Sequence, residues 1–185
     1  MGQYYKAIIL KEGTNKPAKA FTSWDYQCGA KLMEHSYIRN PFVGRVEKQL
    51  SPEGEYYKSP LVWGGDYADP EVKDEDETTL FCLSSGKEEK GPKDSKTKKY
   101  LRYLVNHTQK LYVDKNKVKA DSYGYRINPL PLLTAEGNGR GGGDYHGTNL
   151  DLIGSWARNI ISTESAISSF KKEGYKELIP AFGDE

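Results

Sequence analysis

Residues that staple small folds are scarce in this chain. It has two cysteines, Cys28 and Cys82, and two methionines in 185 residues. One disulfide is therefore the upper limit, which excludes a miniature domain held by bridges. No C-x-x-C or H-x-x-x-H spacing occurs: His35, His107 and His146 are scattered, which excludes the usual structural zinc patterns. No apolar run approaches the roughly 20 residues of a membrane span. The opening Met-Gly-Gln-Tyr-Tyr-Lys has no basic region ahead of an apolar core, so no signal peptide is expected. Together these absences lead us to expect a cytoplasmic protein with reduced thiols and no membrane contact. The sequon Asn106-His107-Thr108 carries no weight in that setting.

An excess of one charge is missing too. The balance of 27 basic against 26 acidic residues leaves +1, which argues against the broad positive footprint of a nucleic-acid binder. Hydrophobic residues are only 36%, yet 14 Tyr, 5 Phe and 3 Trp bring large buried areas each. A single domain over residues 1–185 with an aromatic core is the expectation.

The aromatic and β-branched run from Gln3 to Lys11 predicts a first strand, buried and central because Ala7 to Leu10 is continuously apolar. Ala20 to Tyr26 predicts a second strand, pairing back as a hairpin. Lys31 to Ser36 is short and mildly helical. Phe42, Val43, Val46 and Leu50 lie at helical spacing, with Asn40 as N-cap and Pro41 at the first helical position. Pro60 to Tyr67 reads as a strand and Tyr100 to Asp114 as a hairpin turning at Asn106 to Gln109. Asp69 to Glu77 holds six carboxylates, and six lysines lie between Ser84 and Lys99. The stretch 69–99 is therefore expected to be an exposed charged insertion, with a short strand at Thr78 to Leu83. One more strand is expected between Asp121 and Leu133, and a strand or turn at Trp156 to Ile161. A short helix is expected over Thr163 to Lys172, opened by Ser162 or Thr163. Strands outnumber helices and follow one another directly. The fold class is α+β: a largely antiparallel sheet with two or three short helices, not a doubly wound sheet.

The most unusual stretch runs from Leu130 to Gly147. It holds six glycines, five of them between Gly137 and Gly143, interrupted only by Asn138 and Arg140. Such a run gives up backbone entropy on folding and is kept where the backbone must approach something closely. Gly137-Asn-Gly-Arg-Gly-Gly142 matches G-x-G-x-x-G, but Gly143-Asp-Tyr-His-Gly147 follows, which starts no helix; a dinucleotide fingerprint requires one. Two readings remain. In one, the amides of Gly137, Gly139, Gly141, Gly142 and Gly143, beside Asn138, form an anion nest with Arg140 as bidentate partner. In the other, the run is a turn packed beneath an aromatic ring, or a mobile loop.

Neighbouring residues extend the candidate site. Gly64-Gly-Asp-Tyr67 echoes Gly143-Asp-Tyr145, so Asp66 and Asp144 are candidates for a divalent cation site or shared acid/base work, with His146 as proton carrier. The alternative is that each aspartate caps its own turn. Tyr145 and Trp156 could stack on a ligand ring and Arg158 could support them; a buried Trp is the commoner outcome. A Cys28–His35 nucleophile pair is conceivable, but its surroundings match no known nucleophile context.

Several segments together resemble a family of uncharacterised bacterial and phage proteins. They are Met1-Gly-Gln-Tyr-Tyr5, Lys31-Leu-Met-Glu-His35, Gly64-Gly-Asp-Tyr-Ala-Asp69, Leu133 to Tyr145 and Gly154-Ser-Trp-Ala157. The resemblance implies an accessory protein of a phage or mobile element in the host cytoplasm, with an anti-defence role consistent with that setting, and supplies no catalytic residue. The leading expectation is a binding protein for an anionic, nucleotide-like small molecule or a host protein. The alternatives are a metal-assisted hydrolase or nucleotide-processing enzyme using Asp66 and Asp144, and a structural or virion-associated protein.

Overall fold

The computed structural model describes residues 2–137 and 145–183. Strand β1 (Tyr5–Leu10) is buried at every position. It lies between β2 (Pro17–Thr22) and β3 (Ser59–Gly65), antiparallel to both, with Ala7 opposite Phe21 on one side and Trp63 on the other. Tyr5, Ala7 and Ile9 join the main core, while Ile8 and Leu10 join a second cluster with Ala20, Val62 and Leu80. Both faces are covered, so the run is continuously apolar instead of alternating.

The sheet continues through β4 (Tyr103–Asn106), β5 (Leu111–Asp114), β6 (Ala135–Glu136), β7 (Ile160–Glu164) and β8 (Lys176–Glu177). Its order is β2-β1-β3-β7-β4-β5-β8, with β6 pairing to β3. Only the two-residue strands β6 and β8 are parallel to their neighbours. The result is an α+β fold with a mainly antiparallel sheet.

The outer edge of β3 is shared. Its start, Ser59 and Pro60, pairs with β7, while Trp63 and Gly64 near its end pair with β6. Between them the chain is bound directly: the Arg158 amide donates to Leu61 O and the Leu61 amide to Asn159 O. β6 and β7 run away from this point, so the sheet forks there.

Five short helices decorate the sheet among the described residues: α1 (Leu32–His35), α2 (Pro41–Gln49), α3 (Leu80–Leu83), α4 (Pro129–Leu133) and α5 (Ser168–Lys172). None is long and apolar enough to cross a membrane. In α2 the Asn40 side chain accepts from the Phe42 and Val43 amides, with Pro41 in the first turn, as its sequence predicts. The α2 carboxylate Glu47 is buried. It accepts from Lys115 Nζ at 2.8 Å and Asn128 Nδ2 at 2.9 Å, and its backbone carbonyl accepts from Thr163 Oγ1. One residue thus ties α2 to three distant parts of the chain.

Three local expectations are corrected. Thr78 to Leu83 is not a strand: Thr79 Oγ1 caps the Cys82 amide and starts α3, whose Leu80 covers the second face of the sheet. Asp121 to Leu133 holds only isolated bridges, Tyr37 with Ile127 and Ala120 with Arg126, before α4. Asn128 caps that helix, and both prolines lie in its first turn, where no amide is needed. Thr163 belongs to β7, not to a helix, because the β-branched Ile160-Ile-Ser-Thr163 pairs with β4; α5 begins later, at Ser168.

The 69–99 stretch is also anchored at defined points. Glu89 is buried and takes Arg45 through two bonds, at 2.7 and 3.0 Å, and Glu88 takes Lys6 Nζ at 2.8 Å. Its acidic part, Asp74 to Glu77, is exposed.

Removing Glu47 leaves the buried Lys115 ammonium and Asn128 amide without their acceptor. We expect Glu47→Ala to cost about 3–5 kcal/mol, measured as a shifted urea midpoint.

Candidate functional site

The fork places Arg158 in a left-handed turn, at φ 65°, directly beside β3. Its guanidinium is held by two carboxylates at once. Nε and Nη2 donate to Glu136 at 2.6 and 2.8 Å, and Nη1 and Nη2 donate to Glu71 at 3.0 and 2.5 Å. Glu136 belongs to β6 and Glu71 to the acidic stretch, so Arg158 straps that stretch to the forked sheet. The bonds to Glu136, then those to Glu71, push the Arg158 pKa above its usual value. Both edges of the guanidinium are occupied, so it has no free fork to offer an anion.

A cleft of about 1020 Å³ opens here, walled by residues 69–71, 135–137, 151, 153–155, 157 and 158. Its charged lining is Asp69, Glu71, Glu136, Asp151 and Arg158. Four carboxylates face one guanidinium that already neutralises part of two of them. Ser155 also lines it, with a buried Oγ that has no hydrogen-bond partner among the described residues.

The glycine run leaves this cleft wall at Gly137. A side chain there would collide with Gln3 Oε1 and lie 2.6 Å from the Tyr5 hydroxyl. Gly137 is therefore a close-packing glycine, pressed onto the start of β1. The chain is described again at Tyr145, which is buried. Its hydroxyl donates to Thr148 O at 2.7 Å and accepts from the Gly183 amide at 3.2 Å, and its ring meets Phe182 edge-on. Asn138, Gly139, Arg140, Gly141, Gly142, Gly143 and Asp144 lie outside the described residues, so the nest and the Arg140 contact proposed for them lie there too.

The other candidates resolve individually. Trp156 is fully buried in the core and presents no face to a ligand. Asp66 caps the end of β3: its Oδ1 accepts from the Tyr4 amide at 3.0 Å, and its own amide donates to Tyr4 O. Among the described residues no group of three or more His, Cys, Asp or Glu is arranged to hold a metal. His146 is exposed. His35 is no base for Cys28, because both of its nitrogens are taken. The Trp63 indole donates to His35 Nε2 at 2.9 Å, which leaves the proton on Nδ1, donated to Gly29 O at 2.9 Å.

A hydrogen-bonded relay around His107 was not visible in the sequence. Its ring nitrogens lie 3.0 Å from the Tyr175 hydroxyl and 2.7 Å from Ser162 Oγ, and Ser162 donates to Glu164 Oε1 at 2.7 Å. The acid here sits on the serine, whereas a nucleophile relay needs it on the histidine. Ser162 is also fully buried. The set is a structural chain of satisfied polar groups. Its only advance signal was the alternation of Ser162 and Glu164 on one face of β7.

Burial holds the His35 pKa down at about 4, and burial, then the Lys58 charge, does the same for His107. The unfolded chain binds protons from pH 6.5 downward while these folded imidazoles stay neutral to about pH 4. Stability therefore rises with pH across that window and is lost as pH falls through it. His35 alone should contribute about 3 kcal/mol to the change. Urea melts from pH 7 to 4 should show the loss, and His35→Gln should flatten the slope.

No protein-family model, curated protein or solved structure matches this chain.

Proposed function

We propose that this chain is a binding protein whose cleft at the sheet fork receives a positively charged group. The single observation that carries the reading is the sign of the lining among the described residues: Asp69, Glu71, Glu136 and Asp151 against Arg158. An anion entering the cleft would meet uncompensated carboxylates and an arginine already bidentate to two of them, whereas a cation gains Coulomb attraction from the same groups. The ligand class is thus opposite in charge to the nucleotide expected from the glycine pattern alone. The resemblance of the chain's motifs supports a setting in a bacterial cytoplasm, as an accessory protein of a phage or mobile element acting on a host protein. A basic side chain of such a partner is the group the cleft would take.

Thermal-shift titration tests this at low salt with spermidine and a Lys/Arg-rich peptide, against AMP and ATP. A cation at a hundredfold of its Kd should stabilise the fold by about 2.7 kcal/mol. Asp69→Asn and Asp151→Asn remove carboxylates that hold no ion pair among the described residues, and each should weaken the cation about two- to fivefold. Stabilisation by the nucleotides with none by the cations would overturn the proposal.

A further inference from the structure

We propose a second ligand site, which takes a small hydrophobic carboxylate, between the loop after β5 and the C-terminal segment. A cavity of about 470 Å³ lies there, and it shares no lining residue with the fork cleft. That volume is in the usual range for small-molecule sites, about 300–1000 Å³. Its floor reaches the main core through Ile127 and Phe182, and Ile179, Pro180 and Ala181 extend the apolar wall.

Both walls are held in place before any ligand arrives. On one side Arg126 Nε donates to Val118 O at 3.1 Å and its Nη2 to Lys115 O. Asp121 Oδ1 accepts from the Tyr123 and Tyr125 amides, closing the loop tip. On the other side Thr148 Oγ1 and Asn149 Nδ2 both donate to Ala181 O, and the Thr148 amide donates to Gly183 O. A preformed cavity binds without the entropy cost of ordering loops.

The charges at the mouth select the ligand class. Lys117 pairs with Glu177 at 2.6 Å, and Asp121, which also lines the cavity, has its Oδ1 turned to two amides of its own loop. Lys119 is exposed, lines the cavity and makes no ion pair among the described residues. An apolar ring or branched chain would fill the floor while its carboxylate meets the Lys119 ammonium, a charge-assisted contact.

Phenylbutyrate is a suitable probe, with the uncharged phenylbutanol beside it, followed by calorimetry and by amide shifts in 117–127 and 179–183. The acid should bind and move those amides, and the alcohol should bind about two- to fivefold more weakly. Lys119→Gln should weaken the acid by about the same factor. Ala120→Phe, at an exposed lining position, should block binding with an unchanged melting temperature, and Ser122→Trp provides an independent block should Ala120→Phe melt early. Asp151→Asn, in the fork cleft, should leave acid binding unchanged, which separates this site from the function proposed above. No binding of the acid, equal binding of the alcohol, or amide shifts confined to other regions would overturn the site.

Discussion

The fold depends on the hydrogen bond from the Trp63 indole to His35. Trp63 is fully buried near the middle of β3, the strand from which both halves of the sheet spread. Its ring packs 5.3 Å from Phe42 of α2 and 5.8 Å from the His35 imidazole. A buried indole N–H without an acceptor would cost the desolvation of a polar group, so a partner is required at that spot. His35 serves only while neutral, and it is kept neutral by burial and oriented by Gly29. The short α1 helix delivers that nitrogen and also puts Leu32 into the core. Strand, helix and loop are thereby tied to one another through the two bonds of His35.

From the same strand comes the fork. β3 has more edge than β7 covers, and the uncovered end is completed by the two residues of β6. Where the two partners part, the backbone turns through Arg158 in the left-handed region. The side chain that results is placed to bind Glu136 and Glu71 together. A crevice opens at the divergence because no single strand can fill it. Its acidic lining is thus a consequence of topology joining 69–71 to 135–137 and 151–158, three stretches far apart in the chain.

Much of the fold was legible locally. The apolar run of β1, the Asn40-Pro41 start of α2 and the Tyr100 to Asp114 hairpin rest on propensity and capping, which act over a few residues. The errors came where a local signal had two outcomes. Asn128-Pro129 can end a strand or cap a helix, and Thr79 can lie in a strand or cap one. Burial of the following leucines, Leu130 and Leu80, decided both. Arg158 was singled out beside Trp156, but the two part company: Trp156 points into the core while Arg158 serves the cleft.

By itself, then, the sequence determined the class of fold and the buried interior strand β1. Those follow from hydrophobic patterning and turn chemistry, which are properties of neighbours in the chain. Tertiary structure alone decided that Gly137 packs on Gln3 and Tyr5, that Trp156 is internal, and that Arg158 is saturated by Glu71 and Glu136. It decided the sign of the cleft as well. Charge at a site is a sum over residues that only the fork of the sheet brings within Coulomb range of one another, and no window of sequence contains that sum.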